Sequence, residues 1–270
     1  ILADLLRQHP ADHELLLLLD AETPAQLRSA RGGRPRDRWL LDDAETALRE
    51  GRVGDAEEAL RAVRRKDRSD RADWVELQIA LKRDPEGALD RALAFAASPR
   101  HPRLCFLALR AALDPLMERN DTAGVAAALQ VFLKAHPKSS GAWEAALIQQ
   151  AHKLMSGPVA EEDLAEIRRL QATPLPGQES RARNLLGQYL LELNRPADVV
   201  ELVSPVIKNE PTLIHHFQLG TALAALGAQE EAEEVLEAGL EAHPGELPDA
   251  QADLVRTKLR GLLQELRKPS

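Results

Sequence analysis

The chain has 270 residues, of which 44% are hydrophobic and 29% charged, and its formal net charge at pH 7 is −8. The acidic balance argues against nucleic acid as the main ligand, because phosphate binding needs a basic surface. The single cysteine, Cys105, excludes an intrachain disulfide. The longest aliphatic run, Leu15–Leu19, is too short to cross a bilayer. We therefore expect no transmembrane segment in this chain. The sequence does not distinguish a cytoplasmic from a periplasmic location.

The first 35 residues have the pattern of a degenerate helical unit followed by a linker. Ile1–Gln8 is predicted to be a helix that ends at His9-Pro10, and Glu14–Leu19 a short helix; Thr23–Gln26 has the residues of a capping box with proline in the first turn. Glycine, proline and arginine are mixed over Arg31–Arg36, which is typical of an irregular connection.

Four pairs of amphipathic helices are predicted next, each joined by a short turn. Apolar residues recur at spacings of three and four, which places them on one face of a helix. Glycine, asparagine or proline marks each turn. The predicted pairs cover residues 37–68, 71–99, 104–137 and 140–174, with turns at Gly51, Asp84-Pro85, Asn120-Asp121 and Gly157-Pro158.

The clearest repeat follows at residues 180–211 and 213–244. Leu186-Gly187 recurs 33 residues later as Leu219-Gly220, and Pro211 recurs as Pro244 with the same step. A fixed period near 34 residues indicates stacked helical hairpins, whose two helices run antiparallel across a short turn. A final helix at 249–266 has the polar face expected of a cap.

Residues 213–244 resemble the tetratricopeptide repeat. The residues that match the pattern of this family are Leu219, Gly220, Gly227, Ala232, Leu236, Gly239 and Pro244. Residues 180–211 match it through Leu186, Gly187, Leu190 and Pro211, and residues 37–68 match it through Ala44, Gly51, Ala56 and Leu60. The resemblance implies an all-α, right-handed superhelical solenoid over residues 36–270, with close contacts between helices at Gly220 and Ala232.

The resemblance also implies a concave groove lined by the first helix of each pair. Relatives that hold a C-terminal carboxylate carry lysines and an asparagine in this groove; only Asn184 corresponds here, which argues against recognition of such tails. The two rows of groove-facing residues are Leu41, Val75, Arg110, Glu144, Asn184 and Phe217, and, one turn on, Glu45, Ile79, Asp114, Ile148, Gln188 and Thr221. Two interpretations stay open: a surface for a peptide or protein partner, or a hydrated surface with mutual ion pairs.

No catalytic or cofactor motif appears in the sequence, which lacks a phosphate loop, a dinucleotide-binding turn and a nucleophile elbow. His9 and His13 have the spacing of metal ligands on a helix, but Pro10 places His9 at a helix boundary. The adjacent His215 and His216 point in different directions on a helix. We therefore predict no enzyme activity, cofactor or metal.

A denser run of basic residues consists of Arg61, Arg64, Arg65, Lys66, Arg68 and Arg71. One interpretation is docking of an acidic peptide, a phosphate group or an anionic lipid. The other is a solvated helix end and turn, whose charges alternate with Asp67, Asp70 and Asp73.

These patterns predict a non-enzymatic scaffold that binds a peptide or protein partner in its groove. The alternative is the structural repeat region of a bacterial envelope, secretion or polysaccharide-export assembly, because repeat domains are often used in this way. The high content of alanine, arginine and leucine is typical of proteins from a bacterium with a GC-rich genome. The pattern indicates neither the identity of the partner nor the oligomeric state.

Overall fold

A computed structural model describes residues 35–63, 69–245 and 247–268. Within these ranges β structure is limited to an isolated bridge between Thr212 and His243, and the rest is helices and turns. The all-α prediction is confirmed for this part of the chain. The predictions for residues 1–34, and for Arg64, Arg65, Lys66 and Arg68 of the basic run, lie outside the described residues.

Thirteen helices follow one another in the described ranges. They are α1 (Pro35–Arg49), α2 (Val53–Ala62), α3 (Asp70–Arg83), α4 (Leu89–Ala96), α5 (Pro102–Glu118), α6 (Thr122–Ala135), α7 (Ser140–Ser156), α8 (Glu161–Ala172), α9 (Glu179–Glu192), α10 (Pro196–Ile207), α11 (Leu213–Ala225), α12 (Gln229–Glu241) and α13 (Asp249–Leu266). Two helices correspond to each interval predicted to hold a helix pair, and in four of the six intervals the first helix begins one or two residues earlier than predicted. None of the thirteen is both long and apolar enough to cross a membrane.

Local residue choice accounts for several helix starts. The side chain of Ser69 accepts a hydrogen bond from the Ala72 N–H before α3, and that of Asp121 accepts one from the Gly124 N–H before α6. Such caps satisfy N–H groups that have no partner inside the helix. Prolines occupy the first positions of α5 and α10, where no N–H donor is needed.

The same three-residue turn joins the two helices of four pairs. The central residues of these turns have left-handed φ values: 75° at Gly51, 54° at Asn120, 54° at Asn194 and 79° at Gly227. Two crossed backbone bonds close each turn; at Gly227 they run from its N–H to Ala224 and from the Ala228 N–H to Leu223, both at 3.0 Å. This is a Schellman motif, which requires glycine or asparagine because other side chains are strained in this conformation.

The described residues form two compact units, one up to His152 and the other from Lys153 onward. The sequence pattern predicts one repeat domain over residues 36–270 and does not indicate this division. The boundary falls within α7, close to its C-terminal end.

In the first unit consecutive helices from α1 to α6 pack together, and α3 also packs against both α1 and α5. Helix α3 supplies two hydrophobic clusters. Val75 and Ile79 join Leu41 in one cluster, while Trp74 joins the α4 and α5 side chains in the other, with its ring centroid 6.1 Å from that of Phe95. Because α3 is covered on both sides, it contributes little to the surface.

In the second unit consecutive helices from α8 to α13 pack together, and α11 also packs against α9 and α13. The buried Tyr189 of α9 lies in a cluster with Leu219 of α11. A Cβ on Gly220 would lie 2.4 Å from Leu236 Cδ2, so α11 and α12 meet at the position where the sequence predicts a close contact. Ala232 of α12 is also fully buried.

The sequence period reappears in contacts of the second unit. Three side-chain hydrogen bonds each join residues 34 positions apart, and they link α9 with α11, the start of α8 with the start of α10, and α12 with the end of α13. The pairs are Asn184 with Gln218, Glu161 with Arg195, and Glu233 with Arg267. Equivalent positions of successive pairs are therefore neighbours in space.

Candidate functional site

Three residues of the predicted groove rows belong to the core of the first unit. Leu41 and Val75 are fully buried and Ile79 is 6% exposed. All three pack in the cluster shared by α1 and α3. They leave no side-chain surface for a ligand, and their aliphatic character is the sequence signal that could have assigned them to the core.

Two acidic members of the rows, Glu45 and Glu144, form ion pairs with arginines of the same unit. Arg71 of α3 donates to both carboxylate oxygens of Glu45 on α1, at 2.9 and 2.7 Å, and also pairs with Asp42. Burial lowers the pKa of Arg71, but its bonds with Glu45 and Asp42 outweigh burial and raise the pKa above the ordinary value.

A similar ion pair joins α5 and α7. Arg103 of α5 donates to Glu144 of α7 at 3.0 Å, with both side chains largely buried. The Arg103 guanidinium also lies 5.6 Å from the ring centroid of Phe106. For Glu45 and Glu144, the interpretation of mutual ion pairs therefore describes what the structure contains.

Arg110 and Asp114 of α5 differ from these paired charges. Both side chains are exposed, and neither forms a hydrogen bond or ion pair with any residue of the described ranges. They lie four residues apart with the arginine first, which is the weaker orientation for a pair within a helix. Ile148 of α7 is half-buried and packs against the cluster beneath α5.

The four row members of the second unit are all partly buried. Gln188 of α9 donates to Glu192 at 3.3 Å, and Thr221 of α11 donates to the Phe217 carbonyl at 2.7 Å. The Phe217 ring is covered on one side by α13, where the Lys258 ammonium lies 6.0 Å from its centroid. These contacts leave α9 and α11 with a mixed, partly apolar face.

Asn184, the fourth member, takes part in a buried polar cluster that the sequence analysis missed. The backbone carbonyl of Asn184 accepts a hydrogen bond at 2.7 Å from the side chain of Gln218, which is fully buried. The side-chain oxygen of Asn184, Oδ1, is buried without a partner. His215, one helical turn before Gln218, is also fully buried. The sequence feature that could have revealed this cluster is the presence of two polar residues, His215 and Gln218, on the apolar face of α11.

His215 and His216 bond to different backbone carbonyls. The Nδ1 of His215 lies 2.7 Å from the Glu210 oxygen, and that of His216 lies 2.9 Å from the Thr212 oxygen. The two rings therefore diverge, as their adjacent positions on a helix require. Among the described residues, no group of three or more histidine, cysteine or acidic side chains is placed to hold a metal ion.

Cys105 lies in the core of the first unit. Burial raises the pKa of its thiol to about 11, although contacts with Ser98 partly oppose this shift. A thiol with so high a pKa carries almost no thiolate at neutral pH, so Cys105 behaves as a small apolar residue.

The described ends of the basic run are both engaged. Arg61 pairs with Glu57 at 3.2 Å on the same helix, and Arg71 holds the acids of α1 as described above. These two residues therefore agree with the interpretation of locally balanced charges.

Compared with models of known protein families and with curated proteins, the sequence matches none.

Proposed function

We propose that the protein is a non-enzymatic scaffold that binds a peptide or protein partner along the first helices of its helix pairs. The pairs would be antiparallel hairpins of the tetratricopeptide kind, stacked in a right-handed superhelix whose concave side carries the partner.

Two local features support the hairpin arrangement. The turn between α11 and α12 has only three residues, which favours reversal of the chain direction. The Leu213 N–H donates to the His243 carbonyl at 2.8 Å, which brings the end of α12 back to the start of α11. Both features are expected of two antiparallel helices of equal length.

The observation that carries the binding proposal is the unengaged pair of charges on α5. Glu45 and Glu144, at related row positions, are held by arginines, whereas Arg110 and Asp114 have no partner in the described part of the chain. Exposed charges of both signs steer and orient a polypeptide that carries complementary charges. They suit a polyanion less well, because the acid repels phosphate.

Charge reversal on α5 tests this proposal. The double variant Arg110→Glu with Asp114→Arg keeps the net charge and inverts the pattern. Lys134→Glu is the matched control, because Lys134 is an exposed charge on α6, the second helix of the same pair. The three proteins are immobilised and incubated with an extract of the source cells, and bound proteins are quantified by mass spectrometry.

We expect at least one protein to be captured by wild type and by Lys134→Glu and to fall at least tenfold with the double variant. Far-UV circular dichroism verifies that both variants keep the helical content of wild type. Capture of the same proteins in equal amounts by all three would remove α5 from the binding surface. If nothing is captured above a blank matrix, the scaffold proposal itself is contradicted.

A further inference from the structure

The junction between α9 and α11 contains a buried histidine with one unused nitrogen. His215 is 0% exposed, and its Nδ1 lies 2.7 Å from the Glu210 carbonyl oxygen. A carbonyl oxygen only accepts, so the proton of the neutral ring is on Nδ1. The other nitrogen, Nε2, is then unprotonated, and it is buried without a hydrogen-bond partner.

Two further acceptors of this junction also lack a donor. Gln218 donates through its Nε2 to the Asn184 carbonyl, but its Oε1 is buried and unpartnered. The Oδ1 of Asn184 is buried and unpartnered as well. The neutral junction therefore holds three buried acceptor atoms without donors. A proton added to it would supply a donor and change its hydrogen bonding.

Groups of both signs surround the His215 ring. Arg183 of α9 opposes a positive charge on the ring, as does His216, whereas Glu210 favours it. The Glu210 carboxylate is itself engaged by Arg183 at 3.3 Å and by Ser180 at 3.2 Å. The other helices packed on α11 contribute mainly uncharged side chains, and the single charged residue among those named is Lys258. These residues are Val199 and Val203 from α10, Leu236 and Gly239 from α12, and Leu259 and Lys258 from α13.

The folded environment favours the neutral ring. Burial lowers the pKa of His215 below its ordinary value of 6.5, the hydrogen bond to the Glu210 carbonyl opposes this shift, and the charge of Arg183 adds to it. Since the unfolded chain takes up the proton first as the pH falls, the stability that neutral His215 contributes is complete above pH 6.5 and is lost below it.

We propose that the α9–α11 junction is a proton-operated contact: in mildly acidic solution a second proton on His215, at Nε2, opens the junction and releases the Gln218–Asn184 hydrogen bond. In the described part of the chain His215 Nε2 has no hydrogen-bond partner within reach, so a new N–H at this atom would be buried unsatisfied, and water or a rearranged amide must satisfy it. This proposal does not rest on the proposed function. Asn184 and Phe217 lie on the two helices concerned, so opening would also alter the face of the second unit.

The single tyrosine of the chain provides the probe. Tyr189 of α9 is buried in the cluster that also contains Leu219 and Ala222 of α11. With 3-fluorotyrosine incorporated, one ¹⁹F resonance is followed from about pH 7.5 to about pH 5. We expect a change in this resonance with a midpoint below pH 6.5.

The variant His215→Asn removes the proton site while keeping a donor at the δ position for the Glu210 carbonyl. Its resonance should stay constant over the same range. In urea titrations between pH 6.5 and the midpoint, the unfolding equilibrium constant of wild type should rise, relative to this variant, by up to about tenfold for each unit by which the pH falls, the limit for uptake of one proton by the unfolded chain.

His216→Asn is the matched control. His216 is adjacent, is nearly buried and bonds a backbone carbonyl through Nδ1 in the same way, but its Nε2 is not an unpartnered buried atom. This variant should keep the transition, with its midpoint at or slightly above that of wild type, because the opposing charge of His216 is removed. A wild-type resonance that does not change down to pH 5, or a transition that persists in His215→Asn, would overturn the proposal.

A measurement on wild type alone decides the matter if His215→Asn does not fold. The ¹⁵N chemical shifts of the His215 ring should show the Nδ1-protonated tautomer at pH 7.5 and conversion to imidazolium together with the ¹⁹F change. The opposite tautomer, or protonation without any ¹⁹F change, would overturn the proposal.

Discussion

Gly220 is a position of close contact between α11 and α12, and substituting it tests the packing of the last helix pair. A Cβ at this residue would lie 2.4 Å from Leu236 Cδ2 and 2.5 Å from Leu236 Cγ. Carbon atoms in contact prefer a separation of about 3.5 Å or more, so the leucine side chain must move by about 1 Å. Leu236 is 0% exposed, so this movement must be taken up by the side chains packed around it.

Two opposing effects determine the result for Gly220→Ala. Repacking around Leu236 costs about 1–3 kcal/mol. Alanine gains about 1 kcal/mol over glycine in helix propensity. We therefore expect a net loss of about 1 kcal/mol in the free energy of unfolding, and a loss of about 3 kcal/mol or more for Gly220→Leu, which inserts further carbon atoms into the same contact.

The measurement is urea unfolding followed by far-UV circular dichroism, and Gly261→Ala is the matched control. Gly261 lies within α13, and a Cβ there would meet nothing within 4 Å. Only helix propensity changes at this position, so the free energy of unfolding of the control should rise by about 0.5–1 kcal/mol. The two alanine substitutions are thus expected to change stability in opposite directions.

A gain for Gly220→Ala equal to that for Gly261→Ala would refute the packing argument. A double-mutant cycle with Leu236→Ala gives a second check. In that background the clash is gone, so alanine at position 220 should no longer destabilise, and the coupling energy should reach about 1 kcal/mol or more.

Three further predictions concern the turns, an ion pair and the thiol. Gly227→Ala should lose about 1 kcal/mol because φ is 79° there, whereas Gly157→Ala, outside the left-handed region, should stay within about 0.5 kcal/mol of wild type; equal urea midpoints would contradict the turn assignment. Arg71→Met should lose about 1 kcal/mol at low salt and less in 1 M NaCl, and a loss that does not depend on salt would count against an electrostatic role. Because its pKa is about 11, Cys105 should react with a disulfide reagent at pH 8 only after unfolding in urea; rapid reaction of the native protein would show that the thiol is accessible.

Much of the helical organisation was predictable because its signals are local. Glycine or asparagine at a helix end permits a left-handed residue, and these residues mark four of the turns. The Leu-Gly repeat anticipated the contact between Gly220 and Leu236, because only a residue without a side chain allows so close an approach. Each of these predictions depends on a few neighbouring residues, and not on how the pairs assemble.

The surface was harder to predict. A constant register carried along the chain assigned Leu41, Val75 and Ile79 to the groove, yet all three are core residues, because α3 has a hydrophobic cluster on each side. Trp39 and Trp74 lie 35 residues apart, close to one repeat period, yet their surroundings differ. Trp74 is 7% exposed, whereas Trp39, one period earlier, is 69% exposed, so equal sequence positions do not imply equal environments.

By itself, the amino-acid sequence determined that the chain forms helices, where their pairs begin and turn, and where two helices must touch, since these follow from periodicity, capping and the conformational range of single residues. Only the tertiary structure decided which charges are paired, which apolar residues are covered, and that His215, Asn184 and Gln218 share one buried junction. Burial and pairing depend on side chains that lie far apart in the chain, and no local pattern contains that information.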